Sequence, residues 1–216
     1  MSAEPAFEDL TARARIREAA LRLFAERGID GATVRDIAKE AGVSPGLLRH
    51  HFGSKEALRD ACDAYALDRL MRIKEQAIQE GQLADPGFLS AVHPTVLGLY
   101  RYFARALLDG SPAAGAMFDE MVALGEQWLK RYYPDHSTDP HACSAVIVAM
   151  QIGMLGMHEH LSRALGADIL STEGYLRLSR ASVDLYSNPL LTREQAAQAH
   201  AAFDQLEARR TPGGAS

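Results

Sequence analysis

The sequence predicts an all-α protein, and two observations carry this prediction. Apolar residues recur at spacings of three and four through nearly every segment, and no segment alternates between apolar and polar residues for long. The breaks between these segments are short, and each contains Gly or Pro among polar residues. They lie at residues 81–87, 109–115, 133–140 and 187–190. An N-terminal part made of unusually short helices is expected to precede longer ones.

Length and composition are those of an ordinary globular protein. Of 216 residues, 47% are hydrophobic and 24% charged, so the chain can bury a core without disulfides or a metal. Cys62 and Cys143 are far apart and have no neighbour at metal-binding spacing, which predicts two reduced thiols. The N-terminus lacks the features of a signal peptide, and no apolar stretch reaches the roughly 20 residues of a membrane span. We therefore expect a cytoplasmic protein without a membrane partner.

The charges are unevenly distributed along the chain. The net charge is −5, yet residues 11–55 hold nine Lys or Arg against five Asp or Glu. A basic segment on an acidic protein favours binding to a polyanion, although a solvated helix face can have the same imbalance.

The first helix is predicted from about Ala12 to Arg27, where Gly28 ends it. Its apolar stripe consists of Ile16, Ala20, Leu23 and Phe24.

Two short helices are predicted directly after the first. Thr33 followed three residues later by Asp36 predicts a capping box. Gly42 supplies the left-handed turn that ends this helix, and Ser44 caps the next. Two short helices joined by a tight turn that contains glycine form a helix-turn-helix, here at about residues 33–52.

The second of these helices has a basic outer face, which indicates contact with DNA. A plain three-helix bundle with solvated Arg and His is the alternative, and the agreement of caps, turn, small Ala38 and basic face counts against it. This recognition helix, about Pro45 to His51, is expected to enter the major groove, with Thr33, Arg35 and Lys55 near phosphates. The predicted DNA-binding residues are Thr33, Arg35, Ser44, Pro45, Gly46, Leu47, Arg49, His50, His51 and Lys55.

Between Arg13 and Leu70 a set of short motifs occurs in order and without gaps: Leu23-Phe24, Arg27-Gly28, Ala32-Thr33, Asp36-Ile37-Ala38, Ala41-Gly42-Val43-Ser44, His51-Phe52 and Ser54-Lys55-Glu56-Ala57-Leu58. This set resembles the TetR family of bacterial regulators. The resemblance implies a homodimeric, mostly repressing regulator whose C-terminal domain binds a small effector. Members of that family commonly have a Thr-Leu-Tyr run at this place, whereas this chain has Leu-Leu-Arg-His at residues 47–50. Arg49 in this run can contact a guanine or a phosphate.

The predicted organisation is a three-helix DNA-binding domain at residues 10–57, a helical ligand-binding and dimerisation domain at 58–209, and a disordered tail at 210–216. A helix without breakers is expected from Lys55 to about Gly81. The homodimer is predicted to form through the segments from Ala142 to Leu161 and from Tyr175 to Tyr186, and it would need a palindromic operator. Alternatively, the first of these segments is the core helix of a monomer.

Aromatic and methionine side chains in the C-terminal part predict a cavity for a small apolar or amphiphilic effector, although ordinary core packing or a dimer interface would use the same residues. The candidates are Tyr100, Phe103, Met117, Met121, Trp128, Met154 and His158.

No cofactor and no metal are expected. His158 and His160 are two residues apart on a helix and point to different sides, and the adjacent His50 and His51 cannot share a metal either. No catalytic motif is present, which counts against a helical enzyme. A protein-binding adaptor is disfavoured by the basic face, and an activator of the same family remains an alternative to a repressor.

Overall fold

The computed structural model describes residues 7–210, and the regular structure within this range is helical. A short 3₁₀ helix, Gln82–Ala84, lies between the fourth and fifth α-helices. The α-helices are α1 Phe7–Gly31, α2 Val34–Ala41, α3 Pro45–Phe52, α4 Lys55–Ile78, α5 Pro86–Leu107, α6 Pro112–Tyr132, α7 Pro140–Gly156, α8 His158–Leu165, α9 Thr172–Ser187 and α10 Arg193–Arg210.

The predicted ends of the short helices are confirmed. Thr33 accepts a hydrogen bond from the Asp36 backbone N–H at 3.1 Å, and Asp36 accepts one from the Thr33 backbone, which completes the capping box. Gly42 has φ 66°, a left-handed conformation that an L side chain rarely adopts, so the turn to α3 favours glycine. Ser44 caps α3 through the Leu47 N–H at 3.1 Å. These local bonds fix the positions at which α2 and α3 begin.

The helices up to His158 form one compact unit. In it, α1 packs against α5 as well as against α2 and α4, and α6 packs against α7. The buried side chains include Ile16 and Phe24 of α1, Leu48 of α3, and Tyr102 and Phe103 of α5. The short helices therefore share a core with the helices that follow them.

Residues from Glu159 onward form the second unit. Ile169 is buried there, in the segment that joins α8 to α9. Gly174 approaches the backbone of Asp168 so closely that a Cβ atom would overlap it. This contact holds the connecting segment against the first turn of α9.

The apolar composition of the segment from Ala142 to Leu161 predicts a single helix, but the segment consists of parts of two helices. It breaks at Met157, the residue between α7 and α8. Within α7 only Ser144 and Val148 are buried, whereas the Val146 side chain is 58% exposed. Among the described residues, α7 is therefore not a central core helix.

The boundary predicted between residues 57 and 58 stays a prediction, since α4 crosses it without interruption. The helix expected from Lys55 to about Gly81 is confirmed and ends at Ile78. Arg210 belongs to α10, and the rest of the predicted tail lies outside the described residues.

Within residues 7–210 no single helix has both the length and the apolar character to cross a membrane; only α7 and α8 taken together, with a bend at their junction, have the length and composition to do so.

Candidate nucleic-acid interface

The recognition helix α3 is fixed to the body of the first unit by its inner face. Leu48 and Phe52 are buried, one turn apart. The Arg13 guanidinium stacks over the Phe52 ring at 4.6 Å from its centroid, and Arg13 Nη1 donates a hydrogen bond of 2.9 Å to the His51 carbonyl. These contacts from α1 hold the C-terminal end of α3 in place.

The outer face of α3 is open. Pro45, Gly46, Arg49 and His50 are exposed, and Leu47 is half-buried. Arg49 has no ion pair within the described range, so its guanidinium donors are free to bind a ligand. Gly46, which has no side chain, leaves room for close approach of the helix backbone.

The residues predicted to lie near phosphates flank this face. Arg35 is exposed on α2, and no ion pair of its side chain occurs in the described part of the chain. Lys55 is the first residue of α4, and its Nζ lies 3.4 Å from the Asp30 carbonyl oxygen. Lys55 thus stands at a helix start, where the helix dipole favours anions, although the Ala57 N–H there already donates to the Ser54 hydroxyl.

Cap bonds or burial limit the roles of three predicted residues. The hydroxyl groups of Thr33 and Ser44 serve as the caps of α2 and α3. His51 is half-buried, and its Nε2 is buried without a hydrogen-bond partner among the described residues. That nitrogen is therefore turned away from solvent.

Other charges near the motif are neutralised in pairs. Arg22 pairs with Glu40 at 2.9 Å, and Arg27 lies 3.8 Å from Asp36. The hydrogen bonds from Thr33 hold the pKa of Asp36 below its ordinary value. The uncompensated charge therefore belongs to the outer residues, Arg35 and Arg49 among them.

A buried polar network joins α4 to the end of α5, and sequence reasoning missed it. Arg59 Nη2 lies 3.1 Å from Asp109 Oδ2 and 3.5 Å from the Ala106 carbonyl oxygen. Arg59 Nε lies 3.8 Å from Asp63 Oδ2, an ion pair rather than a hydrogen bond, and the Tyr102 hydroxyl donates to Asp63. The available signal was the spacing of Arg59 and Asp63, one helical turn apart on α4.

This network holds a carboxyl group with an altered pKa. Burial raises the pKa of Asp63 to about 6, because desolvation outweighs the hydrogen bond from Tyr102 and the charge of Arg59. Burial also raises the pKa of Tyr102, so its hydroxyl keeps the proton that it donates.

The predicted effector residues lie on three neighbouring helices and at the start of α8. Phe103 and Met117 are buried, while Trp128 is half-buried and packs against the Tyr132 and Tyr133 rings at 5.6 and 5.0 Å between centroids. Tyr100, Met121, Met154 and His158 are half-buried.

A groove of about 460 Å³ lies between the same helices, α5, α6 and α7, with Leu107, Phe118 and Ile152 in its wall. None of the seven predicted effector residues lines this groove. Among the described residues no group of His, Cys, Asp or Glu has a metal-binding arrangement, and both cysteines are free.

A buried scaffold that carries a short, exposed, cationic second helix defines a helix-turn-helix DNA-binding protein. Residues 16–62 match the family model described as bacterial regulatory proteins, tetR family. The transcriptional repressor Rv3405c of Mycobacterium tuberculosis is 33% identical over 168 residues, which cover 77% of this chain and 83% of that protein. The regulatory protein RaaS of the same organism is 38% identical over 125 residues, 56% of this chain and 57% of RaaS.

The chain belongs to the TetR family, whose members are DNA-binding transcriptional regulators and not enzymes. Solved structures share the fold. A TetR-family regulator from Rhodococcus sp. superimposes with a TM-score of 0.56 at 23% identity, covering 68% of this chain and 87% of that one. Reduced NemR from E. coli superimposes with a TM-score of 0.50 at 22% identity, covering 70% of this chain and 88% of that one. The predicted family and the predicted all-α fold are thus confirmed.

Proposed function

We propose that this regulator is a homodimeric repressor that reads a palindromic operator through α3 and is released by a small apolar or amphiphilic effector. The observation that carries the proposal is the division of α3 into two faces. Leu48 and Phe52 are buried against the unit, while Arg49 projects from it without an ion-pair partner among residues 7–210. A helix held in this way can present a guanidinium to base edges in the major groove.

The roles of the site residues follow from their positions. Residues 45–51 of α3 lie in the major groove, with Arg49 able to bind guanine O6 and N7 with two hydrogen bonds. Ser44 caps that helix beside the groove. Thr33, Arg35 and Lys55 lie near phosphates on either side and set the register of the protein on the duplex.

The exposed apolar residues support a dimer. On α7, Val146 and Met150 are exposed, and on α9, Leu176, Val183 and Tyr186 are exposed. Apolar surface of this kind is commonly covered by another subunit. The segments proposed for the interface are therefore those from Ala142 to Leu161 and from Tyr175 to Tyr186.

The effector is proposed to bind among α5, α6 and α7, near Tyr100, Phe103, Met121 and Trp128 or in the adjoining groove beside Phe118. The continuous helix α4 runs from Lys55 to Ile78, and Arg59 on it bonds to the end of α5. A displacement of α5 would therefore reach the DNA-binding helices through α4. The ligand changes operator affinity only by its differential affinity for the two arrangements.

Repression is proposed over activation because Rv3405c, a relative that matches over 83% of its length, is named a repressor. An activator would use the same DNA contacts and differ only in where its operator lies. The DNA partner implies action in the cytoplasm.

The DNA contacts are tested by two substitutions with different expected signatures. An operator is first selected from a random-sequence duplex pool with the wild-type protein. On that operator Arg49→Ala should lose about 1–3 kcal/mol of binding free energy, while its affinity for unrelated DNA stays nearly unchanged. Lys55→Ala should weaken both DNAs alike and reduce the salt slope by about one, since it removes a phosphate contact. Fluorescence anisotropy over a range of salt concentrations measures both effects.

The matched control is Arg193→Ala, which removes an exposed arginine on α10 and should leave both affinities unchanged. Wild-type affinity of the Arg49→Ala, Lys55→Ala double variant for the selected operator would show that α3 and the start of α4 are not the DNA-binding surface.

A further inference from the structure

A second cationic feature, separate from the outer face of α3, lies between α1 and α4. It is an open groove of about 640 Å³. We name it the basic groove, because its wall contains the four arginines Arg13, Arg17, Arg69 and Arg72 against the single carboxylate of Asp68. The chain as a whole carries a net charge of −5, so this concentration of positive charge is local.

The one carboxylate is already engaged. Arg72 holds Asp68 with two bonds, Nη2 to Oδ2 at 2.7 Å and Nε to Oδ1 at 3.1 Å. This pair on α4 is neutral, which leaves three guanidinium groups in the groove without an ion-pair partner within the described residues. Like charges gathered in one groove repel each other unless an anion joins them.

Two of these guanidinium groups are held in place by aromatic rings. The Arg17 guanidinium lies 3.7 Å from the centroid of the Tyr65 ring, and that of Arg13 lies 4.6 Å from the centroid of Phe52. Stacking fixes the plane of a guanidinium but uses none of its N–H donors. The Arg17 Nε is buried and has no hydrogen-bond partner among the described residues, and a donor left in that state costs free energy.

We propose that the basic groove binds a small multivalent anion of the phosphate type, held between Arg17 of α1 and Arg69 of α4. The planar N–H forks of arginine match phosphate oxygens and bind them with two hydrogen bonds each. The groove thereby supplies fixed donors and uncompensated charge to such an anion.

Phosphate groups are also present in the operator backbone. The length of α4 separates the DNA contact at its start from the basic groove. Arg69 is 14 residues beyond Lys55 on one continuous helix, a distance of about 21 Å at 1.5 Å per residue. A phosphate held at the start of α4 is therefore far from Arg69. The basic groove is also distinct from the effector site proposed among α5, α6 and α7.

The test uses the full-length protein and sodium tripolyphosphate as the probe, titrated by calorimetry at fixed ionic strength. The wild-type chain should bind one tripolyphosphate per subunit. The Arg17→Met, Arg69→Met double variant should lose affinity by about tenfold or more, because each removed guanidinium takes charge-assisted hydrogen bonds with it. The control, Arg15→Met, removes an exposed arginine of α1 that does not line the groove, and its affinity should match the wild type.

A second measurement needs no substitution. Phenylglyoxal modifies accessible guanidinium groups, and mass spectrometry then locates the modified residues. Tripolyphosphate should protect Arg17 and Arg69 of the wild-type protein and leave Arg15 as reactive as before.

Three results would overturn the proposal. They are the absence of saturable binding to the wild type, an equal loss of affinity in the Arg15 control, and equal protection of all three arginines. If operator DNA rather than tripolyphosphate protects Arg69, and the double variant loses operator affinity to match, the ligand is the DNA backbone and not a free anion.

Discussion

Replacing Arg59 by methionine is expected to lower the free energy of unfolding by about 1.5–3 kcal/mol at neutral pH. The Arg59 side chain is 10% exposed and that of Asp63 is 14% exposed, so both charges are largely withdrawn from water. Methionine fills similar space but leaves the Asp63 carboxylate without its cation, and Asp109 loses a partner at 3.1 Å. The pKa of Asp63, already about 6, rises further without this cation, so the carboxyl takes up a proton. The loss of the Arg59 bonds to Asp109 and to the Ala106 carbonyl therefore dominates the effect. Urea unfolding followed by circular dichroism measures it.

The matched control is Arg22→Met, which breaks an ion pair with Glu40 whose side chains are 58% and 45% exposed. A surface pair of this kind is expected to contribute at most about 1 kcal/mol. If Arg59→Met costs no more than this control, the buried network does not stabilise the junction of α4 and α5 as described.

The stability of the wild-type protein is expected to rise relative to an Asp63→Asn variant as the pH falls through about 6. The pKa of Asp63 is about 6 in the folded protein and near 3.8 when the carboxyl is in water. Between these values the folded state binds more protons than the unfolded state, so stability increases with acidification and the gain is complete below 3.8. At 1.36 kcal/mol per pKa unit the full change is about 3 kcal/mol.

The comparison with Asp63→Asn isolates this group. Carboxyls whose pKa is lowered by hydrogen bonds, such as Asp36 with Thr33 and Glu126 with Lys130, act in the opposite direction, but they are present in both proteins. Urea unfolding at several pH values from about 4 to about 8 gives the difference between the two. A difference that does not change with pH would show that Asp63 titrates as an ordinary exposed carboxyl.

The features that the sequence alone could predict are those determined by a few neighbouring residues. Thr33 with Asp36, Gly42 and Ser44 specify two caps and a turn through bonds that span three or four positions, and the structure contains each of them. The α3 face could be predicted for the same reason, since Leu48 and Phe52 are one turn apart. Local hydrogen bonding and helical spacing are enough for these features.

Features that depend on distant residues could not be obtained in this way. Arg59 meets Asp109 across 50 positions, and nothing in either local sequence indicates that α4 lies beside the end of α5. The apolar run that contains Met157 has the composition of one helix, yet α7 ends there because the chain turns into α8. Periodicity reports which faces are apolar, but it does not report what packs on them.

The central claim, that a dimer reads DNA through two copies of α3, is tested most directly by hydroxyl-radical footprinting of the selected operator with the wild-type protein. We predict two protected regions, related by the two-fold symmetry of the sequence, on one face of the duplex. Their centres should lie about one helical turn apart, ~34 Å, because each α3 enters one major groove. A single protected region, or protection that does not depend on sequence, would contradict the claim.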